Sequence, residues 1–567
     1  MKKHLVRNIL LSLGVALLVG GIGYYLVLPP LNLQAEGFWV FLAFLIAAFV
    51  IPFCILNARR APERIVHENG GKKRLRLGGG RLRLPLLAVL AILAPIAVVL
   101  IGSFISSTLF HAKAYAGIVK VEEAVFHEDM PETDTVTNIA LMDSDTASVI
   151  GNRTLGSLAS VVSQYGVAPH YTQINYLRSP KKVANLEYLG FFKWIGNRDS
   201  GIPGYVMVDP VKNSAEYVEL EKPMRYADSG YLGDDLMRKL RFDYPTKIFD
   251  TVSFEIDEEG NPYYIVSCLK PQVMMFGASD VTEVIVFNPC DGSSELLSVS
   301  EAPAWIDCVY NGYLACEKYD WNGLLSGGYW NSVIGNVGCK QTTDDFGYIV
   351  IEDDVWYFTG VTSVTADESN IGFIISNART GEYKFYPVVG AEEYSAMGAA
   401  EGEVQEKGYT ASFPSLVNIS GEATYIMVLK DANSIVKLYA LVNVENYSIV
   451  ATGATQDEVM AQYRALLVQN GVIDPSEGEK PPVSGGEDAE TVSIVVRDVR
   501  VVTVDGNSVL YITAEDGRVY KGSFRDDETL ILIQTGDRLA LTVTETEHER
   551  IFNIVSWREA PPEGATE

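Results

Sequence analysis

The feature that most constrains this chain is residues 86–107, LLAVLAILAPIAVVLIGSFISS, an apolar run without a charge. A helix of that length spans about 30 Å, the thickness of a bilayer's hydrocarbon core. Two other apolar segments precede it, at about 8–28 and 37–56. The first follows Met1-Lys2-Lys3-His4 but is too long for the core of a secretory signal. Pro29-Pro30 is not followed by a small-x-small cleavage pattern, so the segment reads as a retained helix. Residues 1–110 are therefore expected to form a three-helix transmembrane anchor, with Trp39 at one interface.

Basic residues set the expected orientation. Lys2, Lys3 and Arg7 precede the first segment, the 29–36 connection has no Lys or Arg, and the 57–85 loop carries nine. The positive-inside rule then places the N-terminus and the 57–85 loop in the cytoplasm, and residues 108–567 outside a multi-pass cell-membrane anchor. The loop alternates basic and apolar residues around three glycines. This offers Lys72, Lys73, Arg74, Arg76, Arg81 and Arg83 as contacts to anionic lipid, although the same charges serve equally as a topology determinant. Ala16 and Gly20 form a small-xxx-small pair through which the helices could pack as a homo-oligomer.

Charge divides at the same place. Residues 1–84 hold 12 Lys/Arg and three acids, leaving 33 basic and 69 acidic residues beyond, a net charge of -36 there. Nucleic acid would be repelled, since its binding rests on neutralising phosphates, so DNA and RNA are excluded as partners. At 567 residues the chain exceeds one core and should divide into domains.

Beyond residue 115 the pattern becomes short alternating runs broken by turns. Helices are expected at 143–151 and 153–165, and Phe254–Ile256 and Tyr263–Val266 flank a turn signal, D-E-E-G-N-P, that should close a hairpin. One pattern recurs four times, at 204–220, 284–299, 371–386 and 438–450: a strand ending near Asp or Asn, a polar turn, a second strand. This predicts tandem α+β units: an α+β unit at 111–250, a β-rich unit at 251–390 and an α+β unit at 391–471. The Pro/Gly/Glu-rich stretch 472–490 reads as a linker. About five alternating strands follow within 491–560, the signature of a small all-β barrel of OB or SH3 type.

The last α+β unit has the fullest layout. A helix at 392–406 stops at Gly408; strands follow at 409–417, 423–429 and 435–444; a helix at 456–470 opens with a Thr455–Glu458 capping box and ends at Gly471. This arrangement, with turns such as Arg379-Thr380-Gly381, resembles the PepSY-type module found outside many bacterial membranes. The resemblance implies a protein-binding or protease-inhibiting unit. More widely, residues 108–470 resemble a family of membrane proteins of low-GC Gram-positive bacteria without an assigned activity. The stretches that carry this likeness are YTQINY at 171–176, GIPGY at 201–205, TGVTSV at 359–364 and FPSL at 413–416. It implies location and fold, not mechanism.

Catalytic signals are sparse. Beyond the anchor only His111, His127, His170 and His548 occur, and no G-x-S-x-G, H-E-x-x-H or P-loop pattern is present. His170 reads as structural, and no cofactor or metal is expected. Asp234-Asp235, Asp344-Asp345 and Asp353-Asp354 are paired acids of the kind glycan hydrolysis uses, but among 69 acids such pairs arise by chance. The turn at 257–261 gathers oxygens without the spacing of an EF-hand loop. Cys268, Cys290, Cys308, Cys316 and Cys339 lie within 72 residues, as local disulfides or as small buried apolar groups.

The aromatic stretch 305–330 is the most suggestive. Trp305, Tyr310, Tyr319, Trp321, Tyr329 and Trp330 are candidate contacts to a ligand or partner, with core packing the competing use. The expectation is an α+β protein: anchor, tandem antiparallel-sheet/helix ectodomain, C-terminal barrel. Its expected function is non-catalytic binding or scaffolding in the cell envelope, toward an envelope protein or cell-wall glycan. A carboxylate-dependent cell-wall glycan hydrolase and an accessory subunit of a transport or secretion complex are the alternatives.

Overall fold

The computed structural model describes residues 2–58, 83–133, 142, 144–351, 353–364, 366–432, 434–474, 490–504, 507–523, 528–545 and 550–559. Contacts divide the chain into two compact units, Met1–Gly478 and Glu479–Glu567. Most of the basic loop, including Lys72, Lys73, Arg74, Arg76 and Arg81, lies outside the described residues, as do His548 and residues 475–489 of the expected linker.

The first unit begins with three helices long and apolar enough to cross a membrane: α1 (Lys2–Val27), α2 (Glu36–Ala58) and α3 (Arg83–Ile105). They alternate in direction. Asn8, near the start of α1, donates to Asn57, near the end of α2, at 3.1 Å; Ser103, near the end of α3, donates to Glu36, at the start of α2, at 2.9 Å. Gly20 of α1 serves packing within the chain, because a Cβ there would lie 2.4 Å from Leu45 of α2. A turn at Ser106-Ser107 leads into a short helix, α4 (Thr108–Ala116), which is kinked at His111.

Among the described residues the rest of this unit holds four sheets, and each of the four recurring patterns is one antiparallel hairpin in a different sheet. Hairpin 202–209/214–224 belongs to a five-stranded sheet with 165–167, 172–176 and 179–188. Hairpin 277–287/294–298 ends a four-stranded meander whose first two strands, 248–256 and 262–273, turn about residues 257–261. Hairpin 366–377/383–386 lies in a seven-stranded sheet centred on 354–363, and hairpin 436–443/450–453 in a five-stranded sheet with 422–430. Strand 121–123, just after α4, adds in parallel to the edge strand 383–386.

Alternating apolar positions explain the layering. The first two sheets share one core with helix 144–156, built on residues such as Trp194, Tyr205, Val206 and Phe287; it crosses residue 250. The third and fourth sheets enclose a second core that crosses residue 390, where Phe358, Phe373 and Tyr425 pack with Ala396 and Ala400 of helix 393–403. The fourth sheet is apolar on both faces. Its other side, with Ile426 and Leu441, receives Tyr463 and Leu467 of helix 456–469. Thr455 caps that helix by accepting from the Glu458 amide at 3.2 Å, the Glu458 carboxylate accepts from the Ala454 amide, and Gly471 ends it at φ +70°.

The second unit is a closed five-stranded barrel in the spatial order 490–504, 507–514, 519–523, 551–559, 538–545. Residues 519–521 and 551–553 form its parallel pair; the other pairings are antiparallel. Leu510, Ile512, Tyr520, Leu539 and Leu541 fill it, and Leu530 of the 528–532 turn plugs one side.

Candidate functional site

The aromatic residues of 305–330 do not form one platform. Five of them are distributed among three apolar clusters: Tyr319 in one, Trp305 and Tyr310 in a second, Trp321 and Tyr329 in a third. Tyr310 and Tyr319 are core residues. Trp305 is half-buried against Tyr263, with ring centroids 5.0 Å apart, and Trp321 packs edge-on to Tyr115 at 5.2 Å. Tyr329 is half-buried, whereas Trp330 is 68% exposed. Arg83 opens α3.

Two of the three acid pairs are committed to structure, whereas Asp344 is exposed and Asp345 lines a cleft. Asp234 accepts from Arg225 at 2.9 Å and from the Trp194 indole at 3.3 Å, while Asp235 caps helix 236–243 by accepting from the Arg238 amide. Asp354 accepts two bonds from Arg379, each 2.8 Å, and Asp353 accepts from Asn175. Asp257 uses its carboxylate on its own turn, accepting from the amides of Glu259 and Asn261. Among the described residues no group of three or more His, Cys, Asp or Glu is placed to hold a metal ion. All six cysteines are free thiols, and burial pushes Cys268 up to about 12 and Cys290 up to about 11.

One cleft of about 420 Å³ gathers residues from three sheets and a helix. The first sheet supplies Gln173 and Lys182, with His170 exposed beside them; the third supplies Asp345, Phe346 and Tyr348; the fourth supplies Phe413 and Pro414; helix 312–325 supplies Tyr313. Tyr313 is 76% exposed and stands edge-on to Phe346 at 5.1 Å, which in turn meets Tyr348 at 6.0 Å. The buried Lys182 ammonium lies 5.3 Å from the Tyr348 ring centroid. Two glycines permit this geometry. A Cβ on Gly312 would strike the Phe346 ring at 2.3 Å, and one on Gly347 would strike Phe358 at 2.3 Å. The result is a wall of rings with a cation, an imidazole and a carboxylate: apolar faces for stacking and a few polar groups for orientation. The FPSL and YTQINY stretches both reach this cleft.

Tyr313 also borders a second cleft of about 640 Å³, lined by Tyr115, Phe276 and Trp321 and carrying Asp250 and Glu317. Burial raises the Glu317 carboxyl, and the charge of Asp250 adds to the effect; burial likewise raises Asp250, against hydrogen bonds from Thr251 and Asn311.

Sequence reading missed a set of acids buried where sheets meet. Glu255 is fully buried and accepts from the amides of Asp307 and Cys308 and from Ser253. Burial pushes both Glu255 and its neighbour Asp307 upward; the richer set of donors on Glu255 favours its ionised form and leaves the proton on Asp307. Glu393, also fully buried, accepts from the Gly360 amide at 2.5 Å and from Thr343 at 3.2 Å, and burial lifts it to about 7. The available signal was an acid inside an otherwise apolar stretch, as in the V-S-F-E-I of strand 248–256. No protein-family model matches this chain, and no curated protein matches it.

Proposed function

We propose that this is a non-catalytic binding protein, held in a cell membrane by α1–α3 with residues 108–567 on the extracytoplasmic side, and that it acts in the cell envelope on a protein or a cell-wall glycan. The observation that carries this reading is the 420 Å³ cleft, whose ring-lined walls suit the faces of sugars or of aromatic and aliphatic side chains. The basic residues flanking α1 and following α2 support the orientation, with the opposite charge of the remaining chain in accord. Helix 393–403, the antiparallel strands after it and helix 456–469 support the PepSY-type likeness and a protein-binding role. In the barrel, a parallel pairing of the third and fifth strands supports the OB-type reading over the SH3-type one.

A glycan hydrolase is the second reading, favoured by one observation: Asp250 and Glu317 converge on a single aromatic cleft. The test incubates the full chain in detergent with isolated bacterial cell wall and scores retention and released fragments. Retention without release, lost in Tyr313→Ala, supports binding at the cleft. Release of soluble fragments, lost in Glu317→Gln, replaces binding with hydrolysis. Absence of both removes cell-wall glycan as the ligand and leaves a protein partner.

A further inference from the structure

Two charge-free segments of the globular part press on the end of α3. The 19 residues from Trp321 to Cys339 contain no Asp, Glu, Lys or Arg, and neither do the nine from Pro271 to Ser279. The second segment is a hairpin tip. The amides of Met275 and Phe276 donate to the Ser106 hydroxyl, each at 3.2 Å, and a Cβ on Gly102 would lie 2.5 Å from the Phe276 ring. The tip thus reaches a full helical turn back along α3, alongside the candidate span Leu86–Ile105, and leaves Met274 exposed.

The first segment arrives from the other side. Helix 312–325 runs antiparallel to α4: Trp321 meets Tyr115, Asn322 donates to the Ala116 carbonyl at 2.8 Å, and Leu325 packs with Ala112. Tyr115 itself donates to the Ser106 carbonyl at 2.8 Å. The chain therefore returns toward the end of α3 as it enters the 329–337 turn. That turn holds Trp330, Val333, Ile334 and Val337 outward, the last two 75% and 80% exposed.

We propose that the 329–337 turn and the 274–276 tip lie in the lipid interface around the end of α3, seating the globular part on the bilayer. The inference rests on the reading that α1–α3 span a membrane. Lipid is the occupant because the patch is continuous with α3, and because exposed Trp beside Tyr is the composition of the membrane–water boundary.

The test places the full chain in phosphatidylcholine nanodiscs whose acyl chains are either ordinary or brominated, and reads tryptophan quenching. The chain has seven tryptophans, of which Trp39, near the start of α2, reports on the anchor. The proposal expects Trp330→Phe and Trp39→Phe each to remove about half of the bromine-quenched amplitude. Trp330→Tyr repeats the subtraction with a second aromatic replacement beside Tyr329. If Trp39→Phe abolishes the quenching while both Trp330 variants leave it unchanged, the turn does not face lipid and the proposal fails alone. If no tryptophan is quenched, the spanning reading fails with it.

Discussion

Glu393 shows what a buried acid does to this fold. Its carboxyl is at about 7 when folded, against an ordinary value of 4.5. Between those values the unfolded chain gives up the proton while the folded chain keeps it, so stability falls as pH rises from about 4.5 to about 7 and levels off above. Gln fits the same donors, because its carbonyl can accept from Gly360 and its amide can donate to Thr343. Glu393→Gln should flatten that slope and raise stability at pH 8 by about 3 kcal/mol, as measured by denaturant midpoints across pH. At the cleft, Tyr313 is exposed enough that Tyr313→Ala should leave the thermal midpoint within about 1 °C while removing any ligand retention, which separates a binding role from a structural one.

Elements are held by close approach as much as by apolar pattern. Gly204 lies in strand 202–209 where pairing with 214–224 shifts register, and a Cβ there would stand 2.2 Å from the Val218 carbonyl oxygen. Gly204→Ala should cost about 2 kcal/mol, read as a lower midpoint in urea, because backbone cannot swing aside as a side chain would. At the start of helix 456–469, Thr455→Ala should cost about 1 kcal/mol by the same measurement. The helix expected to run to Gly408 ends at Glu403, and a separate 3-10 turn over 405–407 reaches that glycine. The four hairpins, the helix stop at Gly471 and the five barrel strands were legible because turn chemistry and period are local. The 420 Å³ cleft was not. Its rings come from positions 313, 346, 348 and 413, which no local pattern connects, and the aromatic run at 305–330 was misleading because helix 312–325 and the chain on either side of it carry their rings to separate cores.

At the scale of the molecule, the two units have separate cores: Ile512 and Leu541 pack only within the barrel cluster, and Phe373 and Tyr425 only within the sheet cluster. Calorimetry of the full chain should therefore resolve two transitions, and removing residues 479–567 should abolish one and leave the temperature of the other unchanged. A single transition lost as a whole would contradict this division. The three-residue strand 121–123 has a mechanical consequence. It is the first extended segment after α4, and it lies in parallel register on strand 383–386. In the proposed membrane-spanning arrangement, tension that passes beyond α4 enters that strand end-on, so its rungs share the load in shear instead of opening one at a time. Such a pull is felt in the same sheet that supplies Phe346 and Tyr348 to the cleft.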